Sequence, residues 1–303
     1  IKYPVFQGGM AHIADGKLAA AVSEAGGLGI ISAMNMGAEY LKEQIDIARS
    51  LTDKPFGVNV MLMSPHTDEV AKLLADEKIS VVTTGAGNPS KYMEMWNAAG
   101  VKVIPVVASS ALAKKLENMG ACAIIAEGGE SGGHVGDMTT MALVPQVCDA
   151  VNIPVIAAGG IADGRGAAAV FMLGACGIQM GTRFLVAKEC GVHQNYKDKV
   201  LKASDISTIV TGKRLGHPVR SLKTRFSRAY SKAEYSQISD EELEQLAVGA
   251  LRLAAVNGDE EKGCFLAGQI SGLVNKEQTA KEIVEEVCTQ TEEVLKGALK
   301  WVK

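Results

Sequence analysis

The chain has 303 residues and a formal net charge of -3, with 47% hydrophobic and 21% charged residues. This balance is typical of a globular protein and excludes a disordered chain. The near-neutral charge and the 5% aromatic content argue against a nucleic-acid-binding protein. No run approaches the roughly 18 apolar residues of a transmembrane helix, so we expect no membrane span.

The cysteines form neither a CxxC pair nor the spacing of a metal site. They are Cys122, Cys148, Cys176, Cys190, Cys264 and Cys288. Scattered cysteines in apolar surroundings indicate buried thiols in a reducing compartment. We therefore expect a cytoplasmic protein without a metal centre.

Short runs rich in Val, Ile and Ala recur along the first part of the chain, with starts roughly 20 to 30 residues apart. They are Pro4–Gln7, Leu28–Ser32, Phe56–Met61, Val81–Thr84, Val103–Ala108, Ala123–Ala126, Pro154–Ala158 and Gly177–Gly181. Runs that are almost wholly apolar are typical of parallel strands buried on both faces.

The segments between these runs have helical periodicity, as in Gly16–Ala25 and Asp68–Asp76, and several end on glycine, as at Gly26, Gly100 and Gly120. Eight strand–helix units predict an α/β protein with a closed (β/α)8 TIM barrel. A doubly wound sheet would normally have five or six strands and a switch point.

The composition changes near Leu185: 30 of the first 185 residues are charged, against 35 of the remaining 118. We expect the barrel to comprise residues 1–189 plus about 271–303, and a smaller, mainly helical domain to cover about 190–270. The final segment, Lys276–Trp301, predicts a long amphipathic helix that packs on the barrel.

Glycine-rich loops follow the seventh and eighth predicted strands, at Gly159-Gly160 and at Gly181-Thr182. The alternative is that the glycines serve only tight turns, but backbone N–H groups at these two positions bind phosphate in this fold, which favours a phosphate-bearing ligand. Gly9 and Met10 follow the first strand, where glycine lets a flat ring lie on the backbone. Asn59 interrupts an apolar strand and is either a satisfied core amide or a contact to a heteroaromatic ligand.

His134 lies among five glycines in the loop after the sixth strand, within residues 128–136. Such a histidine is either a mobile surface residue or a catalytic group, and its position favours catalysis. His12 and His217 are weaker candidates for the same cavity, and His66 and His193 indicate ordinary surface positions. Seven basic residues between 213 and 232 form either a solvated helix face or a patch for an acidic partner.

These loops together resemble a flavin-dependent barrel family that contains nitronate monooxygenases and enoyl-acyl-carrier-protein reductase II. The resemblance covers essentially the whole chain. It rests on Gln7-Gly8-Gly9-Met10, Val58-Asn59-Val60, residues 130–136 with His134, Ala158-Gly159-Gly160-Ile161, Gly181-Thr182-Arg183-Phe184 and the segment 267–273. Glu127, where nitronate monooxygenases usually carry Gln, and the segments 216–220 and 268–277 resemble the reductases.

The resemblance implies FMN as cofactor and NAD(P)H as co-substrate, with hydride delivered to a trans-2-enoyl thioester and His134 polarising the carbonyl or protonating the α-carbon. The implied FMN-binding residues are Gly9, Met10, Asn59, Glu127, Ser131, Gly132, Gly159, Gly160, Gly181 and Thr182. A monovalent cation and a homodimer are family expectations. The basic cluster then predicts an acidic acyl carrier protein as partner. A nitronate monooxygenase that uses FMN and O2, or a non-redox phosphate-binding barrel, are the competing hypotheses.

Overall fold

Strands and helices alternate along the chain in a computed structural model, which describes residues 1–34 and 36–301. The strands are β1 (Val5–Gln7), β2 (Ile30–Ser32), β3 (Gly57–Met61), β4 (Val81–Gly85), β5 (Lys102–Val107), β6 (Ile124–Glu127), β7 (Gly133–His134), β8 (Val155–Ala158), β9 (Gly177–Met180), β10 (Thr208–Thr211) and β11 (Val219–Leu222). The helices are α1 (Gly16–Glu24), α2 (Ala38–Leu51), α3 (Thr67–Asp76), α4 (Ser90–Ala98), α5 (Ser110–Asn118), α6 (Thr140–Cys148), α7 (Gly164–Met172), α8 (Thr182–Leu185), α9 (Gln194–Leu201), α10 (Arg225–Glu234), α11 (Asp240–Ala247), α12 (Ala250–Ala255) and α13 (Ala280–Gly297). Two 3-10 helices cover Gln269–Leu273 and Ala298–Trp301.

Eight parallel strands form one sheet in the order β1-β9-β8-β6-β5-β4-β3-β2. A parallel bridge between Phe6 and Leu28 joins its two ends, so the sheet closes into a barrel. Each of the eight predicted strands is present, and the (β/α)8 prediction is confirmed. The strands are mostly apolar because one face packs inside the barrel, around residues such as Ile30 and Ile125, and the other faces the surrounding helices.

A second sheet joins the loop after β6 to the later part of the chain. β10 and β11 form an antiparallel hairpin, and β11 also pairs with β7. The segment 190–270 contains this hairpin and α9 to α12, so most of its regular secondary structure is helical. The domain boundaries stay a prediction, and residues 302–303 of the predicted barrel domain lie outside the described residues.

The C-terminal helix α13 packs against α7 and α1, as expected for a helix that returns to the barrel. It begins four residues later than predicted because Gln278 makes a parallel bridge with Ala187 and is held in extended backbone. Thr279 then caps α13, and its side chain accepts from the N–H of Glu282, 3.1 Å away.

The cysteines differ from the expectation of uniformly buried thiols. Cys190 is buried, Cys122 and Cys176 are exposed, and the other three are partly buried. Cys122 and Cys176 each lie just before a barrel strand, where the chain emerges at the amino-terminal edge of the sheet. None of the described helices is long and apolar enough to cross a membrane.

Candidate active site

Polar side chains collect at the carboxyl ends of the barrel strands, where the interior is otherwise apolar. Asn59 on β3, Glu127 on β6 and Gln179 on β9 lie at this end. Active sites of (β/α)8 barrels are built at this face from the strand ends and the loops that follow them. The sequence-predicted residues therefore lie on one end of the barrel.

The Asn59 amide combines the two roles that the sequence left open. Its Oδ1 accepts a hydrogen bond from Thr83 Oγ1 at 2.9 Å, which satisfies the carbonyl internally. Its Nδ2 donates to no acceptor among the described residues. Gly9 packs against this side chain so closely that a Cβ at position 9 would lie 2.4 Å from Asn59 Cβ. Only glycine fits at position 9, and the free Nδ2 is available to a ligand.

Gln179 is a site residue that the sequence analysis missed. It is 8% exposed and lies against Gly8, and its side-chain amide has no hydrogen-bond partner among the described residues. Its amide is not among the fully buried unpartnered groups of the described residues, so a ligand or water can reach it. The available signal was the one used for Asn59: a polar residue within an apolar barrel strand.

Two adjacent loops present free backbone donors. Ala158 on β8 and Gln179 on β9 are paired, so the loops that follow them lie side by side. Gly159 and Gly160 have φ of +85° and +73°, a conformation that favours glycine. The N–H groups of Gly160, Ile161, Gly181 and Thr182 donate to no acceptor in the described part of the chain. This grouping has the chemistry of a phosphate site.

The helix that follows the first of these loops, α7, does not offer its N-terminal N–H groups to a phosphate. Asp163 caps α7, accepting from the N–H groups of Arg165 at 2.9 Å and Gly166 at 3.5 Å. The loop amides of Gly160 and Ile161 are therefore the available donors on this side. Met10 reaches the second loop, where its Sδ would lie 3.7 Å from a Cβ at Gly181.

The acid of the site is Glu127, which is half-buried at the end of β6. Burial raises the pKa of its carboxyl to about 7, and the neighbouring Ser131 hydroxyl opposes that shift. Ser131 Oγ is itself buried and makes no hydrogen bond of ordinary geometry with a described residue. Glu127 and Ser131 thus form a small polar pair with unused hydrogen-bonding capacity.

The loop after β6 is held firmly at its base. The Glu130 carboxylate accepts from the Thr140 N–H at 2.9 and 3.0 Å and from Thr140 Oγ1 at 3.0 Å, which caps α6. Arg220 donates to Gly129 O, with Nη2 at 2.9 Å and Nε at 3.2 Å. These contacts fix the loop that carries His134.

His134 lies in β7 and is held by the pairing with β11, so it is not on a free loop. The residue keeps an exposed surface at the barrel mouth. Surrounding protein nevertheless lowers the pKa of its imidazole, and the nearby His217 lowers it further. The imidazole is therefore neutral over a wider pH range than that of a free histidine.

A segment from the C-terminal part of the chain packs into this loop. Gly268 N donates to Thr182 Oγ1 at 2.9 Å, and Gln269 N donates to Glu130 O at 2.9 Å. A Cβ at Gly132 would lie 2.7 Å from the backbone of Ala267. A cleft of about 380 Å³ lies beside these residues, bounded by Glu130, Gly160, Asp205, Gln269, Ile270, Gly272 and Leu273.

A larger cleft of about 500 Å³ lies at the opposite, amino-terminal end of the barrel. Arg49, Lys54 and Lys78 are among its lining residues, and none of the predicted site residues borders it. The assignment of the site thus depends on the unpartnered donors at the strand ends rather than on cavity size.

Comparison with known proteins identifies the family. The model of the nitronate monooxygenase family matches residues 1–75 and 67–290. The chain belongs to the nitronate monooxygenase family. The structure of FabK from Thermotoga maritima is 50% identical, covers 100% of this chain and 96% of that chain, and superposes with a TM-score of 0.98.

Two curated relatives show how varied the family is. A (3aS,4S,5R,7aS)-5-hydroxy-7a-methyl-1-oxo-octahydro-1H-indene-4-carboxyl-CoA dehydrogenase from Rhodococcus jostii (strain RHA1) is 34% identical over 322 residues, covering 94% of this chain and 91% of the relative. A probable nitronate monooxygenase from Staphylococcus aureus (strain JH9) is 32% identical over 343 residues, covering 97% and 96%. The predicted family resemblance is confirmed.

The other four histidines lie in different parts of the fold. His12 has a positive φ of +61°, and burial lowers the pKa of its imidazole, with Arg252 lowering it further. His66 is bonded to Glu69 at 2.8 Å on the surface, and His193 is exposed and caps α9, as expected. His217 is near enough to His134 to lower the pKa of that imidazole.

The basic cluster is smaller on the surface than the sequence suggested. Arg220 is directed inward to Gly129, and Arg214 is held by Ile238 O at 2.7 Å and Asp240 at 2.8 Å. Arg225 is exposed but forms an ion pair with Glu261. The exposed cations without an ion-pair partner among the described residues are Lys213, Lys223, Arg228 and Lys232.

Proposed function

We propose that the protein is an FMN-dependent enoyl-acyl-carrier-protein reductase that reduces trans-2-enoyl thioesters with NAD(P)H in the last step of the fatty-acid elongation cycle. FabK, an enoyl-acyl-carrier-protein reductase II, is 50% identical to it over the whole chain. The structural observation that carries the proposal is the set of free donors at the carboxyl ends of the barrel strands. A cofactor with a phosphate and a heteroaromatic ring would accept hydrogen bonds from both the backbone N–H groups of the loops and the side-chain amides of the strands.

The residues present fit FMN. The four free N–H groups of Gly160, Ile161, Gly181 and Thr182 would hold its phosphate, because backbone donors need no counter-charge to bind an anion. The free amides of Asn59 and Gln179 would bind the polar edge of the ring, and Gly9 and Met10 would pack against its face. Gly132, Gly159 and Ser131 complete the predicted binding set.

Bound FMN would supply the hydride chemistry, from NAD(P)H to the β-carbon of the enoyl thioester, and a proton from solvent would complete the reduction at the α-carbon. The chain itself contributes His134. Because its lowered pKa keeps the imidazole neutral near pH 7, its ring N–H donates a hydrogen bond to the thioester carbonyl oxygen, where negative charge develops. Pairing with β11 holds the imidazole in place before substrate arrives.

Glu127 limits the negative charge beside the cofactor. With a pKa of about 7, its carboxyl is protonated in a large fraction of molecules at neutral pH. In that state it donates a hydrogen bond, as an amide would. When protonated, Glu127 can thus replace the glutamine that the related monooxygenases usually carry at this position.

The test is anaerobic spectroscopy of the purified protein. FMN absorbance near 450 nm should bleach with NADH or NADPH and recover on adding crotonyl thioester, with one NAD(P)H consumed per thioester. Oxygen uptake with a nitroalkane, independent of NAD(P)H, would instead establish a nitronate monooxygenase, which the family membership alone favours. A protein that remains colourless with FMN would be a non-redox barrel.

Acyl carrier protein is the proposed partner in the cytoplasm. Arg228 and Lys232 lie four residues apart on the exposed face of α10, and Lys223 precedes that helix. α10 follows β11, which pairs with the strand that carries His134. An acidic carrier docked here would lie next to the mouth through which its thioester must enter. The homodimer and a monovalent-cation requirement stay predictions.

Charge reversal tests this partner. R228E/K232E should raise KM for a carrier-bound enoyl substrate roughly three- to tenfold and leave KM for the neutral N-acetylcysteamine thioester unchanged. The matched control is K114E/K115E, which reverses two exposed cations on α5, away from the mouth. Equal effects on both substrates would refute the docking surface without refuting the reductase.

A further inference from the structure

A second imidazole is brought to the site by the hairpin of β10 and β11. In the register of β11 with β7, Val219 lies opposite His134. Val135 N donates to Pro218 O at 3.0 Å, so the pairing continues beyond Val219 toward His217. Directly opposed residues share a face of a sheet, and alternate residues along a strand share it too. This alternation places His217 and His134 as diagonal neighbours on one face.

The hairpin tip holds His217 in that place. His217 N donates to Gly212 O at 3.0 Å, which closes the turn between the strands. A Cβ at Gly212 would lie 2.5 Å from His217 O, so the turn accepts only glycine there. His217 is therefore fixed by backbone contacts and keeps an exposed side chain.

Several charged groups belong to the elements packed against His134. Arg220 lies on β11 and is committed to Gly129 O, while Glu130 is committed to Thr140 and Asp137 is exposed in the same loop. The charge that acts on the His134 imidazole is that of His217, after the effect of burial. No carboxylate in the described part of the chain forms an ion pair with His134.

We propose that His217 is a positioning residue that acts through His134, keeping that imidazole in its neutral, hydrogen-bond-donating form. The expected effect on catalysis rests on the proposed reductase function. The electrostatic coupling between the two imidazoles does not. A positive charge on His217 disfavours a second positive charge one strand away. A charged His217 thus opposes protonation of the His134 imidazole.

The test compares H217N, which removes the charge, with H217K, which makes it permanent. Titration of isotope-labelled histidine by NMR, with the His134 signal assigned from H134Q, should give a higher His134 pKa in H217N and a lower one in H217K. The acid limb of the kcat/KM profile should move in the same directions. H66Q is the matched control and should change neither the His134 pKa nor the acid limb of kcat/KM. His66 lies on the surface just before α3, bonded to Glu69.

A double-mutant cycle supplies the second readout. At acid pH, H217N should lower kcat/KM by about two- to tenfold in the wild type and have no effect in the H134Q background. An unmoved His134 titration in both variants would overturn the proposal, as would equal losses in both backgrounds. If the protein fails to reduce enoyl thioesters, the NMR titration still decides the coupling, so the two failures are distinguishable.

Discussion

Thr83 Oγ1 donates a 2.9 Å hydrogen bond to Asn59 Oδ1 across the neighbouring strands β4 and β3. The bond fixes which end of the Asn59 amide is used inside the protein. Nδ2 is consequently left as a donor without an acceptor among the described residues. The buried Thr83 hydroxyl thus determines which end of the Asn59 amide the site presents.

Thr83→Val should weaken FMN binding without unfolding the protein. Valine has nearly the same shape but no hydroxyl, so the Asn59 amide loses its anchor and turns freely. One neutral hydrogen bond contributes about 1 kcal/mol, which corresponds to a roughly fivefold increase in Kd. Flavin fluorescence titration of the apoprotein measures this. Thr84→Val, one residue along on the other face of β4, is the control, and an equal loss there would contradict the explanation.

Gly9→Ala should cost both cofactor and stability. The added Cβ would lie 2.4 Å from Asn59 Cβ, so β3 or the loop after β1 must move. Overpacking of this kind costs about 1–3 kcal/mol, which lowers the Tm by several degrees in a chain of this size. Thermal unfolding with and without FMN measures both effects. Gly297→Ala, where a Cβ has nothing within 4 Å, should leave the Tm unchanged or slightly raised.

The barrel was predictable because apolar runs and glycine-ended helices repeat in a fixed order. The second sheet was not, because β7 has two residues and lies in a glycine-rich loop. Its strand character comes from pairing with β11, about 85 residues away, which no local pattern reveals. The same long-range pairing changes His134 from a loop residue into an anchored one.

The site was predictable wherever a polar or glycine residue interrupts an apolar strand end. Asn59 and the glycine pairs were found in this way, whereas Glu127 came from the family resemblance. Gln179 carried the same signal and was missed, and the inward turn of Arg220 depends on a contact with Gly129 that sequence does not encode locally. Charge counting therefore overstated the surface cluster, because it cannot separate bonded cations from free ones.

Glu127→Gln should stabilise the apoprotein at high pH. The folded pKa of about 7 lies above the ordinary value of 4.5, so the folded state binds more protons than the unfolded state between these values. The stability contributed by protonated Glu127 is present below pH 4.5 and is lost as the pH rises to about 7. At alkaline pH the free energy of unfolding of the variant should exceed that of the wild type by at most about 3 kcal/mol. Solvent screening at this half-buried position reduces the gain below that limit.

Urea unfolding of the wild type and the variant at about pH 8 and pH 5 measures that gain, which should shrink at the lower pH. Glu94→Gln, an exposed residue on α4, is the control and should change stability equally little at both. A pH-independent gain in Glu127→Gln would mean that packing, not ionisation, is responsible.

His134→Ala should keep the yellow colour and lose turnover, because the imidazole serves the thioester rather than the cofactor or the fold. Removing one preorganised donor to a developing oxyanion costs about 10²–10³ in kcat. In the wild type, the lowered pKa of His134 means that kcat/KM should fall on the acid side only below the ordinary histidine value. Loss of FMN together with turnover in His134→Ala would instead make the residue part of the cofactor site, and a pH-rate profile with an acid limb above the ordinary value would contradict a neutral imidazole.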